Sequence, residues 1–403
     1  MKKLSYILLF PLLIFAISLE IDSTDQRTDG SQLWDIWFTI GEIATTDTVR
    51  IFIDATTESG EKLSCVTLSG DYPVVFGPGS YHVVWDFGTD VPNREFYYDG
   101  ISIGVAATKE NIVPGQCADK IYVADWDNNR IVRMDDISGA GWTTFGILGS
   151  DTGQFDNPWG IDIGDDGKIY VADGRNHRIV RIDDMTGAGW VSYGDLGSDI
   201  GEFEAPRGLA LAPDGKIYIA DLHNDRIVRI DAMNGNGWIT YGSYGTGIGE
   251  FDGPFAVEIG YDGKIYVVDC NNCRIVRIDD MSGTGWVSYG SRGDGVGEFN
   301  EPRDIAFGLG GEIYIADRGN YRIVRIDDMS GAGWVTYGDY GFDIGEFRGP
   351  RGIDVGSYGK IYVADWFNDR IVRFDDMTGA GWTTFGSSGS EWFSNPSGIA
   401  VGQ

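Results

Sequence analysis

The pair Ile-Tyr recurs at Ile121, Ile169, Ile217, Ile265, Ile313 and Ile361, always 48 residues apart, with no insertion or deletion between copies. A fixed period of that size requires an array of equivalent units, each burying its apolar faces against its neighbours. One unit reads as four short strands. The first spans 208–212, and Pro213-Asp214-Gly215 turns it into the second, 217–221. An Asn/Asp-rich hairpin leads to the third, 226–231, and Asn234-Gly235-Asn236-Gly237 leads to the fourth, 238–242. Asp-Gly before an apolar run is a hairpin signal because both residues tolerate positive φ. Sixty glycines fit many tight turns and would not fit a helical protein.

Four consecutive antiparallel strands per repeat of 40–50 residues make the blade of a β-propeller. Second, third and fourth strands occur six times from Ile121 onward. First strands also occur six times, opened by Gly160, Gly208, Ala256, Asp304, Gly352 and Gly398. The first unit lacks a first strand of its own, and residues 398–401 supply one. The sequence therefore predicts an all-β, six-bladed ring over 121–403, closed by 398–401 against 121–125, with no open edge for aggregation. Trp142, Trp190, Trp238, Trp286, Trp334 and Trp382, each with a Tyr or Phe three residues on, are expected to fill the gaps between blades.

The region before the array follows other rules. Met1-Lys2-Lys3 precedes an apolar run with Ala16 and Ser18 at a cleavage-like site, so residues 1–18 read as a signal peptide. The run is too short to span a bilayer. The expectation is an exported protein, extracellular, periplasmic or at the cell surface, without a transmembrane segment after cleavage. Residues 19–108 show short alternating strands separated by turns and read as a small Ig-like β-sandwich. The stretch from Ser69-Gly70-Asp71 to Trp85-Asp86 resembles a β-sandwich module of secreted bacterial proteins. Residues 109–120, with Pro114 and Gly115, read as a linker.

A net charge of −30 argues against nucleic acid, whose phosphates need Lys and Arg. An oxidising compartment allows disulfides. Cys270 and Cys273 replace ordinary hairpin residues in one blade and are expected to form a local disulfide, while Cys65 and Cys117 are left without an assigned pairing. Three scattered histidines do not make a zinc site.

Pro158 to Ile179, reading Pro-Trp-Gly-Ile-Asp-Ile and then Asp-Gly-Lys-Ile-Tyr-Val-Ala-Asp with Asn176 and Arg178 following, resembles the NHL repeat, as does the preceding Gly153-x-Phe155-x-x-Pro158. The marks of WD and kelch repeats are missing. The resemblance implies a propeller whose first strand is innermost and which acts mostly as a binding scaffold, with lyases and lactonases on similar propellers.

In a repeat array the positions that vary among otherwise equal units are the better functional candidates. The third position of the first strand reads Asp162, Ala210, Glu258, Ala306, Asp354, Ala400. If that strand is innermost, three carboxylates approach the axis in alternate blades. They are candidates for a Ca²⁺ site, for pairing with arginine, or for hydration in a wide channel. The residue after each Pro reads Trp159, Arg207, Phe255, Arg303, Arg351, Ser397. The first five are the candidate contact surface at the channel mouth, since Arg and aromatics dominate binding hot spots.

The expected function is a monomeric binding or scaffold module, not an enzyme, whose mouth takes an extracellular protein segment or a small anionic ligand. The rival is a metal-dependent lyase or lactonase using Asp162, Glu258 and Asp354, with no other cofactor expected beyond possible Ca²⁺.

Overall fold

A computed structural model describes strands within residues 18–109, and residues 119–402 apart from 165, 357–358 and 387–391. The chain divides into two compact units, Met1–Gln116 and Cys117–Gln403. The leader before Ser18, Cys65 and Cys117 lie outside the described residues.

The first unit holds two antiparallel sheets. One has the order Ser18–Gln26, Leu33–Gly41, Gly79–Asp86, Leu68–Gly70, and the other Lys62–Ser64, Val49–Thr57, Ile101–Lys109. The first strand, Ser18–Gln26, begins at the last residue of the expected signal peptide.

The second unit is built around six four-stranded antiparallel sheets, five of them simple meanders, with short parallel strand pairs on the connections between blades. In the second blade the strands are Pro158–Ile163, Ile169–Asp173, Arg178–Ile182 and Val191–Tyr193. First strands open at the proline, two residues earlier than the sequence pattern suggested. A register shift between Pro158 and Ile161 accommodates the extra length. Proline is tolerated there because it stands at the strand's first position. Pro396–Gly402 pairs antiparallel with Lys120–Asp125, Ile399 opposite Val123 and Val401 opposite Ile121, so the last strand completes the first blade.

The core lies between blades rather than within them. Phe155, Phe203, Phe251, Phe299, Phe347 and Phe393, one on each inter-blade connection, are at most 1% exposed. Each aromatic of the fourth strands closes over one of them. Trp190 lies 5.4 Å from Phe155 and 6.1 Å from Phe145 of the preceding blade. The same trio recurs with Trp238, Phe203 and Tyr193.

A polar staple fixes each connection to its blade. Asp221, fully buried, accepts from Asn224 Nδ2 at 2.9 Å, Arg226 Nε at 2.8 Å and the Glu204 N–H at 2.7 Å. Arg226 also donates to the carbonyls of Ser198 and Glu202. Its guanidinium lies 5.7 Å from the Trp238 ring. Every inter-blade connection is thus tied down by a buried, fully partnered carboxylate.

Innermost strands crowd the axis. A Cβ built on Gly398 would stand 2.3 Å from the Trp159 carbonyl oxygen, and one on Gly160 would stand 2.5 Å from that of Arg207. Glycine at these positions lets neighbouring backbones approach.

Candidate functional site at the channel mouth

Because each first strand starts at its proline and each second strand ends opposite it, two variable positions per blade converge on one end of the channel. These are the residue after the proline and the residue after the buried Asp of the staple. The first set is Trp159, Arg207, Phe255, Arg303, Arg351 and Ser397; the second is Trp126, Gly174, Leu222, Cys270, Arg318 and Trp366.

These side chains reach across the axis to non-adjacent blades. Trp159 stacks on Trp366 at 5.4 Å with 16° between planes, and meets Phe255 edge-on at 5.4 Å. Trp126 lies 4.8 Å from Trp366. Arg207 sits 4.1 Å from the Trp159 ring centroid, and Arg351 sits 4.8 Å from the same ring and 3.1 Å from that of Trp366. Arg303 lies 4.4 Å from Phe255. The mouth is thus a plug of indole rings and guanidinium groups.

The charges there are unequal. Glu301 Oε2 accepts from Arg303 Nη2 at 3.0 Å and from Arg318 Nη1, so one carboxylate serves two arginines. Arg207 and Arg351 make no ion pair among the described residues, and the Nε and Nη1 of each are buried without a hydrogen-bond acceptor. Burial, together with the neighbouring Arg303, pulls Arg207 down to about 9. Burial and the Arg303, Arg318 and Arg207 charges pull Arg351 down to about 7. Guanidinium groups keep their proton in proteins, so this cost calls for an acceptor rather than proton loss. Stacking on indole satisfies the face of a guanidinium through the ring quadrupole, but leaves its in-plane N–H donors unused.

Further down the channel a cavity of about 170 Å³ is lined by Asp162, Glu258, Asp304, Asp354, Tyr261 and Phe307, among others. Asp304 was missed by the sequence pattern because it stands two positions earlier in its strand, where other blades carry Gly or Ala. Three of these carboxylates bridge adjacent inner strands. Asp162 Oδ2 accepts the Leu211 N–H at 2.8 Å, Asp304 Oδ2 that of Ile353 at 2.9 Å, and Asp354 Oδ2 that of Val401 at 2.6 Å. Each also accepts the N–H of the residue following it. Among the described residues Glu258 accepts only from the Ile259 N–H, at 3.1 Å.

These residues touch the channel but sit deep among apolar strands, where ionisation is costly. Burial pushes Asp304 up to about 7, against its two backbone donors, and Asp354 up to about 6. Glu258 is pushed well above the usual carboxylate range by burial and by the Asp162, Asp354 and Asp304 charges.

Two expectations are corrected here. Asp162, Glu258 and Asp354, the expected Ca²⁺ ligands, line one cavity, and among the described residues no group of three or more His, Cys, Asp or Glu is arranged to hold a metal ion. Both oxygens of Asp162 and of Asp354 accept backbone N–H groups, and one oxygen of Glu258 does. Nor do Arg207, Arg303 and Arg351 pair with them, since the arginines cluster at the mouth. Cys270 and Cys273 are free, buried thiols rather than a disulfide. Cys273 occupies the left-handed turn position, with φ +52°, and packs into the core between blades. Cys270 sits near Arg303, Glu301 and Arg318, where burial raises its thiol to about 11.

An NHL repeat family model matches residues 155–182 and 299–326. No curated protein matches the chain. Among solved structures, a protein of unknown function from Bacteroides caccae is 15% identical with a TM-score of 0.51, covering 71% of this chain and 99% of that one. Virginiamycin B lyase from Staphylococcus aureus is 19% identical with a TM-score of 0.47, covering 72% and 91%. A PQQ-bound aldose sugar dehydrogenase from Streptomyces coelicolor is 17% identical with a TM-score of 0.43, covering 63% and 87%. At these identities the likeness concerns fold alone. The expectation of a non-enzyme is withdrawn: proteins named as a lyase and a dehydrogenase stand among these matches. The chain carries NHL repeats and folds over its second unit as a six-bladed β-propeller.

Proposed function

We propose that the propeller binds a ligand at its Arg- and Trp-lined mouth, and that the ligand presents an anionic group to Arg207 and Arg351. One observation carries this reading. Two guanidinium groups are held against the same indole with buried donors that no atom of the described residues accepts. A buried cation without a partner is costly, and a fold that keeps two of them side by side is prepared for an acceptor from outside. The aromatic surfaces of Trp159, Phe255 and Trp366 supply apolar contact beside the charge, the combination that hot spots favour. The acidic balance of the whole chain, −30, selects against long polyanions while leaving the recessed mouth attractive to a small one. Binding here is compatible with turnover, since a catalyst must also hold its substrate.

The reading is tested by thermal unfolding in the presence of small carboxylates and phosphates at constant ionic strength. Ligands that occupy the mouth should raise the Tm of the unmodified protein by several degrees at concentrations well above Kd. The same ligands should leave Arg351→Met unshifted. Equal shifts in both proteins would place binding elsewhere and defeat the proposal.

A further inference from the structure

Four arginines and one carboxylate meet at the mouth, and the way they are shared specifies more than an anion. Arg303 and Arg318 are both drawn to Glu301. Among the described residues Arg207 and Arg351 have no counter-ion. Both guanidinium carbons lie over Trp159, at 4.1 and 4.8 Å from its centroid, which keeps them no more than about 9 Å apart. We propose, building on the binding role above, that the mouth is made for an oxyanion bearing two negative charges, of the phosphate-monoester class, gripped between Arg207 and Arg351.

The stoichiometry of charge supports this class. A monoanion would neutralise one guanidinium and leave its neighbour buried and uncompensated. A dianion balances both. The guanidinium group is itself a planar fork of N–H donors, the form suited to paired oxygens. A phosphate monoester carries three terminal oxygens, enough to serve two forks, whereas a single carboxylate has two. The ester's organic portion would lie against the rings of Phe255 and Trp366, both of which meet Trp159. An extended polyphosphate or nucleic acid would meet the acidic remainder of the chain instead.

The inference is tested by isothermal titration of the full chain with phenyl phosphate, inorganic phosphate, benzoate and acetate at matched ionic strength. Phenyl phosphate should bind at least tenfold tighter than benzoate, which has a similar ring and one charge fewer. Its affinity should rise severalfold between pH 5 and pH 7.5, as the second ionisation near pH 6 is completed. Inorganic phosphate binding as tightly as phenyl phosphate would assign the recognition to the free ion, and weaker binding would assign it to the ester. Both keep the dianion. Arg207→Met and Arg351→Met should each lower phenyl phosphate affinity tenfold or more. If benzoate binds as tightly as phenyl phosphate and loses affinity in Arg351→Met, the dianion is wrong while the mouth remains the site. If no anion binds, or if both variants bind like the parent, the dianion and the binding role fall together. The comparison of phenyl phosphate with benzoate uses only the unmodified protein, so a poorly folding variant does not blunt the test.

Discussion

Replacing Asp221 with alanine is expected to cost about 3–5 kcal/mol of folding stability, the usual loss when one member of a buried charged network is removed. The substitution orphans Arg226 Nε, Asn224 Nδ2 and the Glu204 N–H together. It also frees the connection that brings the fully buried Phe203 between the second and third blades. Asp221→Asn keeps the shape and one acceptor oxygen and should lose less. Denaturant unfolding of both variants checks this, and a loss below about 1 kcal/mol for Asp221→Ala, the scale of an exposed pair, would contradict the buried staple.

Stability should fall as the pH rises from 5 to 8. Asp304 and Asp354 have folded values of about 7 and 6, above the 3.8 ordinary for aspartate, because burial disfavours their ionised forms. Between those limits the folded state holds protons that the unfolded chain has released. Their stabilising contribution is therefore complete below about pH 4 and is lost as the pH passes the folded values. Across the full span from about pH 4 to 7 Asp304 alone accounts for a swing on the order of 4 kcal/mol, of which roughly 3 falls between pH 5 and pH 8, and coupling among the channel acids makes the sum less than additive. Asp173, pushed to about 6 by burial, acts in the same direction. Thermal unfolding at pH 5 and pH 8 should show the higher Tm at pH 5, and Asp304→Asn should narrow the gap. A higher Tm at pH 8, or an unchanged gap in the variant, would show that the channel carboxylates are not the source.

Much of the ring was legible because repetition multiplies weak signals. One Asp-Gly turn suggests a hairpin, but six copies at an unvarying interval leave a closed array as the economical solution, and the missing first strand of the first unit identified its closing partner. The inter-blade role of Trp190 and its equivalents could be read from regularity alone. What escaped depends on register and direction. Asp304 bears the same kind of charge as Asp354 but enters the channel from an earlier position in its strand, so a column-by-column comparison passed over it. Trp126, Arg318 and Trp366 stand just past the second strand, a position the sequence reading did not single out. The test applied to the first strand, variation at an otherwise fixed position, would have found them, because the residue after the staple Asp differs in nearly every blade. Glu301 was hidden in the left-handed position before Pro302, with φ +49°. The partners of the channel carboxylates were beyond reach, since backbone N–H groups carry no sequence signature. The cysteines misled through spacing: two residues between them suited a disulfide, while the turn sends one thiol toward the mouth and the other into the core.

The central claim, that Arg207 and Arg351 await an anion, is tested most directly by anomalous diffraction from crystals equilibrated with selenate, a dianion that reports its own position. The account predicts a selenium peak within hydrogen-bonding distance of both guanidinium groups, beside the Trp159 ring, and its loss in Arg351→Met. Selenium peaks confined to other arginines, with an empty mouth in the unmodified protein, would contradict it.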